Sequence, residues 1–412
     1  MTRRWFSIPA LSLGLLMPSF ATDWPQLLGP DRNGVANDSN LATNWPSGGP
    51  RVLWQKKIGN GFAGPVVAAG KLILFHRVGD REIIEALDVG DGKPLWKFDY
   101  PTAYRDDFGF DPGPRATPTI AGGKVFAFGA DGALNCLSLA DGKKLWSVDC
   151  KKEFGSPKGF FGRACSPLVE GRALIVDVGG PGGGGVVAFD KDAGVTLWKH
   201  GADEASYSSP IAATFGGQRC VLVLTRGYFS GHDPADGRVL FAAEFRPPIT
   251  ASVTGATPTV VGDRVFISAA YDLGAIAFRV AGWKLEKLWA GDDHLSLQFT
   301  TAVQRDGFLY GLDGRHDFPG GTELRCVEWK TGKVRWSKPS LSGANLILAG
   351  DSLLVLTENG ELLRVAAEPE KFRELARAQI LGRGVRAYPA LADGRFYARD
   401  KAQLVCVDLR GR

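Results

Sequence analysis

The sequence predicts an all-β protein: an eight-bladed β-propeller of four-stranded antiparallel blades. Three observations predict it, since one repeat recurs eight times, its strands alternate apolar and polar residues, and a tryptophan closes most copies. The repeats begin roughly 43 to 52 residues apart, a spacing typical of propeller blades and solenoid arrays. Composition agrees, because the 412 residues include 54 glycines and little sequence with the pattern of a long amphipathic helix.

Each repeat supplies four short strands. Its apolar runs are about five to seven residues long and are separated by Gly-Asp or Gly-Lys turns. A lone four-stranded blade leaves both faces exposed, so blades pack side by side around an axis until the ring closes. The eight copies begin at Gly64, Ala116, Cys165, Ser208, Ala256, Thr300, Ala344 and Ala387.

The tryptophan that opens the fourth strand predicts a wedge between neighbouring blades. An indole buries a large area, and its N–H can reach a carbonyl of the next blade. Phe241 takes this position in the fourth copy, and Ala376 or Ala378 lies near it in the seventh, so two interfaces should pack differently. The tryptophans are Trp96, Trp146, Trp198, Trp289 and Trp336.

The ring is expected to close through a strand from the N-terminal side. Residues 51–58 read RVLWQKKI, with Trp54 in the wedge position and no first three strands before it. The last repeat, in turn, has a third strand at Leu404–Leu409 but no fourth. We therefore expect Val52–Ile58 to pair with Leu404–Leu409, which removes the edges that an open sheet would expose.

The first residues predict export. Arg3 and Arg4 precede an apolar run that is too short for a good membrane span and that ends in small residues, as in a signal peptide. General secretion and twin-arginine export both stay open, and the expected location is the periplasm or the exterior. The expected organisation is a signal peptide at 1–21, an N-terminal extension at 22–50 and a propeller at 51–412, with 51–58 completing the last blade.

Charge and cysteines exclude several function classes. A net charge of +5 without an aromatic and basic strip does not predict nucleic-acid binding. Cys136, Cys326 and Cys406 take a third-strand position that alanine fills in other repeats, which predicts free thiols in the core. Cys150 and Cys165 flank one loop between blades, and a disulfide between them stays open. Without a CxxC or a Cys/His cluster, no metal site is predicted.

The candidate site is the mouth of the channel. Innermost strands begin at one face of a propeller, so the residues just before each repeat's proline should surround the axis there. Three arginines at one opening would attract anions and grip a carboxylate, although arginines at strand starts also pair with carboxylates of a neighbouring blade. The expected binding residues are Arg115, Arg163, Tyr207, Phe299, Asn345 and Arg386.

The repeat resembles the pyrroloquinoline-quinone (PQQ)-like β-propeller repeat, through ALDVGDGKPLW and CLSLADGKKLW. That resemblance covers nearly all of residues 51–409 and implies one of two functions. Quinoprotein alcohol dehydrogenases hold PQQ and calcium over the channel, whereas BamB-like propellers bind partner proteins without a cofactor. The opening DWPQLLGPDRNGV is similar to that of a large set of exported bacterial propellers.

The sequence differs from both groups, and these differences determine which function we expect. The chain has no adjacent cysteine pair and no lid insertion, and the dehydrogenases' calcium ligands and catalytic base match no motif here. It also lacks the lipid-bearing cysteine of BamB. We therefore expect a binding or scaffold propeller without a cofactor, whose aromatic-rich segment Tyr100–Pro114 contacts an envelope protein or polymer. The alternative is a PQQ-dependent dehydrogenase that oxidises an alcohol or sugar, so enzymatic activity stays open, as does an anionic small molecule at the mouth.

Overall fold

The computed structural model describes residues 22–38, 40–317 and 321–411, and the expected signal peptide lies outside them. Eight sheets form the ring: seven contain four strands that follow one another in the chain, and the eighth joins three C-terminal strands to one N-terminal strand. One of the seven carries a fifth strand. The predicted eight-bladed all-β propeller is therefore confirmed. Within the described residues the α-helical segment is Cys150–Phe154 (α1), and no helix is long and apolar enough to cross a membrane.

Strands and blades are numbered in chain order, and the strands of each blade are given from the innermost to the outermost. Before the first full blade come β1 (Val35–Ala36) and β2 (Val52–Lys57). Blade 1 has β3 (Val66–Ala68), β4 (Lys71–Val78), β5 (Arg81–Asp88) and β6 (Pro94–Pro101); blade 2 has β7 (Thr119–Ala121), β8 (Lys124–Phe128), β9 (Ala133–Ser138) and β10 (Lys144–Asp149). Blade 3 has β11 (Leu168–Glu170), β12 (Ala173–Asp177), β13 (Val186–Asp190) and β14 (Thr196–His200); blade 4 has β15 (Ile211–Phe215), β16 (Gln218–Leu224), β17 (Tyr228–His232) and β18 (Val239–Glu244).

The second half of the ring repeats this plan. Blade 5 has β19 (Thr259–Val261), β20 (Arg264–Ala269), β21 (Gly274–Ala281) and β22 (Lys284–Gly291); blade 6 has β23 (Val303–Arg305), β24 (Phe308–Gly314), β25 (Thr322–Glu328) and β26 (Val334–Leu341). Blade 7 has β27 (Ala344–Ala349), β28 (Ser352–Thr357), β29 (Glu361–Ala366) and β30 (Glu374–Gln379). Blade 8 has β31 (Ala390–Ala392), β32 (Arg395–Arg399) and β33 (Gln403–Asp408), and β2 is its outer strand.

The N-terminal strand closes the ring as expected. Strand β2 pairs antiparallel with β33, and Trp54 stands opposite Cys406. The Trp54 indole Nε1 donates to the carbonyl oxygen of Val89 in blade 1 at 3.0 Å. Blade 8 therefore combines strands from both ends of the described chain, and its wedge contacts the next blade like the others.

The wedge also explains the glycine of the recurring turn. Trp96 Nε1 donates to Leu139 O of blade 2 at 3.0 Å, so the ring lies over that blade's turn. Gly142 in this turn has a φ of +72°, and a Cβ there would lie 2.5 Å from the Trp96 ring. Glycine is needed here for two reasons: the backbone is left-handed, and the indole of the preceding blade occupies the space that a side chain would fill.

Each wedge faces a small residue on the third strand. Cys136 lies opposite Trp146, and Gly231 lies opposite the smaller wedge Phe241. All six cysteines are buried and free, so the bridge considered for the loop between blades 2 and 3 is not formed. In blade 7 the large residue is on the third strand and the small one is on the fourth, since Arg364 lies opposite Ala376. The two unusual interfaces predicted from the sequence are thus packed by a phenylalanine and by an arginine.

The N-terminal extension enters the channel, a role that the sequence did not predict. Trp24 and Val67 of β3 exchange backbone hydrogen bonds at 2.8 Å, and Ile120 N donates to Pro25 O at 2.7 Å. Farther along, β1 pairs parallel with the innermost strand of blade 7, β27. The extension therefore touches the inner edges of blades 1, 2 and 7 and narrows the channel.

Candidate functional site

One end of the channel opens into a cavity of about 220 Å³. It lies where the innermost strands begin, because residues just before those strands, such as Thr117 and Thr257, line it. The exposed lining is mainly apolar. Its aromatic rings belong to Phe62, Phe110, Phe161, Tyr207, Tyr271, Phe299 and Tyr388.

Side-chain hydroxyl groups of successive blades form the floor of this cavity, and each accepts a hydrogen bond from a backbone amide of the preceding blade. Gly64 N donates to Thr117 Oγ1 at 3.1 Å, and Thr117 N donates to Ser166 Oγ at 2.9 Å. Ser166 N then donates to Ser209 Oγ at 2.9 Å, and blades 5 and 6 make the same contact. The amides of Gly64, Thr117, Ser166 and Thr257 are thus each paired with a side-chain hydroxyl of the next blade. The hydroxyl oxygens are thereby fixed at defined positions under the cavity.

The extension closes the channel below these hydroxyls. Leu27 lines the cavity from beneath, and Arg32 is buried in the channel with 4% of its surface exposed. Arg32 Nη1 donates to the carbonyl oxygens of Ser166 at 3.2 Å and Pro210 at 2.8 Å, and its Nη2 donates to that of Pro167. Burial lowers the pKa of Arg32 to about 10. The cation is thus held by backbone carbonyls of two blades.

Two of the three predicted arginines line the cavity, and each is paired with a carboxylate. Arg115 Nη2 lies 3.1 Å from Asp106 Oδ2, and its Nε donates to Phe161 O at 2.9 Å. Arg386 Nε lies 2.9 Å from Glu358 Oε1. The sequence left such ion pairing open as the alternative to anion binding by these arginines. A strongly positive funnel is not formed, and anion binding at this mouth stays a prediction.

The other predicted residues divide between the wall and the interior. Tyr207 and Phe299 line the cavity, and the Tyr207 hydroxyl accepts hydrogen bonds from Phe160 N at 2.9 Å and Phe161 N at 3.1 Å. Asn345 lies outside the lining and is buried. Its Nδ2 donates to Arg386 O at 3.2 Å and Ala387 O, so it ties blade 7 to blade 8.

Arg163 also lies outside the cavity, and its expected position at the mouth was wrong. Its guanidinium is buried in its own loop, where Nη2 donates to Ser156 O at 2.8 Å and Nη1 to Lys158 O at 3.2 Å. The cavity-lining residues Arg115, Tyr207 and Arg386 are each third before their repeat's proline, whereas Arg163 is fourth. In extended chain a shift of one residue turns a side chain to the opposite side. Ala164 is third before the proline in blade 3 and lines the cavity.

A hydrogen-bonded histidine fixes the polar wall. Arg386 Nη2 lies 2.8 Å from His316 Nε2, and because an arginine nitrogen can only donate, this histidine nitrogen accepts. His316 Nδ1 therefore carries the proton and donates to Gln298 Oε1 at 2.9 Å. Burial and the neighbouring Arg386 charge lower the pKa of His316. The ring is thus a neutral structural link, with both nitrogens engaged by protein groups.

The oxygen donors of the cavity do not fit PQQ with calcium. Calcium takes about six to eight oxygen ligands, and Asp317 is the carboxylate in the lining. Its Oδ2 lies 2.8 Å from Arg315 Nη2, and its Oδ1 accepts from Gln298 Nε2 at 2.7 Å. Over residues 22–38, 40–317 and 321–411, no group of three or more His, Cys, Asp or Glu residues could hold a metal ion. The carboxylate is thus committed to protein partners.

Exposed aromatic side chains extend the cavity onto the surface. Phe108 is 52% exposed and Phe110 is 38% exposed, and they stand with Phe160 and Phe161 in an aromatic rim. The ring centroids of Phe108 and Phe161 are 5.1 Å apart, and those of Phe110 and Phe161 are 6.0 Å apart. Lys401 Nζ donates to Phe110 O at 3.0 Å and anchors the loop to blade 8. The rim is therefore held beside the opening.

Part of this site was predictable. The segment Tyr100–Pro114, which the sequence predicts as a contact, contains Phe108 and Phe110, but the sequence did not predict Phe62, Phe161 or the floor. A signal for the floor was present, because Thr or Ser precedes the proline in four repeats (ATP, CSP, SSP, ATP). No comparable pattern marks Leu27 or Arg32, which reach the channel from outside the repeats.

Comparison with known proteins gives one family and one fold. The family model described as "Outer membrane protein assembly factor BamB" matches residues 79–338. The protein of that name from Shewanella oneidensis is 22% identical over 386 residues, which cover 87% of this chain and 88% of the relative. The crystal structure of BamB from Moraxella catarrhalis superposes with a TM-score of 0.64 at 16% identity, covering 87% of this chain and 99% of the other. A europium-containing methanol dehydrogenase superposes with a TM-score of 0.69 at 13% identity, covering 94% and 89%.

Proposed function

This chain belongs to the family described as outer membrane protein assembly factor BamB, and on that premise we propose that it is a scaffold that binds an envelope protein. The contact surface is the face of the propeller that carries the cavity and the aromatic rim. In line with the family description, the partner is a protein that takes part in outer-membrane protein assembly.

The observation that carries the proposal is the exposure of the aromatic rim. Phe108 and Phe110 are large apolar side chains held at the surface of a loop, beside a preformed cavity. Contiguous apolar surface of this kind is typical of protein contacts, and aromatic residues next to a pocket often carry much of the binding energy. The opposite face has single exposed apolar residues such as Val195 and Val261.

The charges of the cavity also favour a protein over a free anion. Arg115 and Arg386 each contact a carboxylate, Asp106 and Glu358, so little net positive charge remains to attract one. A mixed surface of paired charges around exposed aromatic rings resembles the composition of a protein interface, where rings form the centre and polar groups form the rim.

The periplasm is the compartment that we propose for this contact. The expected signal peptide at 1–21 supports export, and the name of the relatives supports a role at the outer membrane. The limits of the extension and propeller domains given by the sequence stay predictions.

The quinoprotein alternative is the weaker one. Aromatic walls and two arginines are compatible with a flat carboxylated ligand, but the cavity's carboxylate is committed to Arg315 and Gln298, and the chain has no adjacent cysteines. Reduction of an artificial electron acceptor by purified protein with added PQQ and calcium would revive the enzymatic alternative.

Site-specific photocrosslinking tests the scaffold. The full-length chain, expressed in cells with p-benzoylphenylalanine at position 108, should crosslink to a defined envelope protein. The matched control carries the same group at Val195, an equally apolar position with 58% exposure on the opposite face. Equal crosslinking from both positions, or none from position 108, would contradict the proposal.

A further inference from the structure

We infer that the cavity receives one aromatic side chain of the partner, best a tyrosine; this inference rests on the proposed function. The size of the cavity supports a single ring. An apolar cavity of about 150 Å³ binds benzene, whereas drug-sized ligands occupy roughly 300–1,000 Å³. At about 220 Å³ the cavity has room for one ring and a polar substituent.

The walls are arranged to pack against a ring. Phe62 and Phe161 are held in place by Arg115, whose guanidinium carbon lies 5.2 Å from one ring centroid and 5.4 Å from the other. The Arg386 guanidinium carbon likewise lies 5.0 Å from the ring centroid of Phe110. Cation–π contacts of this kind fix the rings before any ligand arrives. A ligand ring can then pack edge-to-face or offset without first ordering the wall.

The floor selects a ring that carries an oxygen. Thr117 Oγ1, Ser166 Oγ and Ser209 Oγ each accept an amide hydrogen, but within the described residues none of these hydroxyls donates a hydrogen bond to protein. Three O–H donors at the base of an aromatic cavity suit an acceptor oxygen at the far end of the ring. A phenol meets this condition, whereas a phenyl ring leaves the donors unpaired.

The aromatic rim explains why the ring comes from a protein and not from a free small molecule. Phe108 lies outside the cavity opening and is 52% exposed, so a small ligand inside the cavity would leave it uncovered. A side chain projecting from a protein surface brings neighbouring residues that cover the rim and exclude water around the anchor, as in other interface hot spots.

The first test uses p-cresol, the analogue of a tyrosine side chain, with toluene as the matched probe without oxygen. Saturable binding of p-cresol, measured by ligand-observed NMR, should be tighter than that of toluene. Ala164→Phe, which fills the cavity from blade 3, should weaken p-cresol binding by at least about tenfold. Val253→Phe fills it from the loop before blade 5 and gives a second variant, should the first fail to fold. Val261→Phe on the opposite face is the control and should bind like the wild type.

The second test separates the inference from the proposed function. Crosslinking from position 108 should be lost in Ala164→Phe and Val253→Phe and kept in Val261→Phe, with melting curves to confirm folding. Persistent crosslinking in folded, filled variants would refute insertion of a ring and leave the scaffold standing. Absence of crosslinking in the wild-type background would refute the scaffold itself. Failure of p-cresol to bind, or binding unchanged by filling, would overturn the inference whatever the crosslinks show.

Discussion

Replacing Arg32 with methionine should destabilise the propeller without touching any of its blades. The guanidinium is buried and donates to the carbonyl oxygens of Ser166, Pro167 and Pro210 and, at 3.1 Å, to Thr119 Oγ1. Methionine has a similar length but no donors. Its introduction removes the guanidinium donors from the carbonyl oxygens of Ser166 and Pro210, whereas Pro167 O still accepts from Thr119 Oγ1 at 2.6 Å. Each buried group left unpaired costs about 1 to 3 kcal/mol.

The net effect is smaller than the sum of these losses. Burial of a cation is itself costly, as the lowered pKa of Arg32 shows, and methionine removes this cost. We therefore expect a loss of about 3 kcal/mol in the free energy of unfolding, the upper end of what a hydrogen bond to a charged group contributes. Arg32→Lys keeps the charge but offers fewer donors in a less suitable geometry, and should lose an intermediate amount.

Urea unfolding followed by tryptophan fluorescence measures this loss. The control is Arg279→Met, which removes an arginine paired with Glu286 at 2.5 Å but 48% exposed. Surface changes of this kind stay within about 0.5 kcal/mol. If Arg32→Met and Arg279→Met unfold at the same urea concentration, the extension does not stabilise the ring through this side chain, and the reasoning fails.

Two further predictions concern the blades. Gly142→Ala places a methyl group 2.5 Å from the Trp96 ring and should cost about 1 to 3 kcal/mol more in unfolding free energy than Gly122→Ala, which has the same left-handed backbone but open space; equal losses in urea unfolding would contradict the wedge. His232 is buried and neutral, and burial lowers its pKa from 6.5 to about 4, so stability should be full above pH 6.5 and fall by up to about 3 kcal/mol as the pH drops to 4. His232→Gln should flatten this part of the stability profile, and parallel profiles for the two proteins would exclude the histidine as its cause.

The sequence predicted the fold because the repeat records contacts between blades. The third-strand alanine or cysteine, the tryptophan and the turn glycine meet at one interface, so the requirements of that interface recur along the chain. Ring closure was predictable for the same reason, since Trp54 carried the wedge signature without its own repeat. A pattern repeated eight times identifies a structure even where individual copies, such as Arg364 with Ala376, depart from it.

The candidate site was less predictable because it depends on single positions in connecting loops. Arg115 and Arg163 both lie shortly before the proline of their repeat. Arg163 is one residue farther from that proline, however, and of the two only Arg115 lines the cavity. The pairing of Arg386 with Glu358 joins residues 28 positions apart in two different blades. Loop geometry of this kind leaves no periodic signal in the sequence.

The position of the extension follows from where a closed ring is weakest. Blade 8 is the one place where the described ring is joined by hydrogen bonds between chain ends and not by a continuous blade. Trp24 pairs with blade 1, β1 pairs with blade 7, and Ala42 N donates to Leu409 O of the last repeat at 2.7 Å. In blade 7, where no tryptophan wedge exists, Arg364 donates to the carbonyl oxygen of Ala42. The extension therefore spans the closing blade and both of its neighbours, so the segment that closes the channel below the cavity also holds the ring shut.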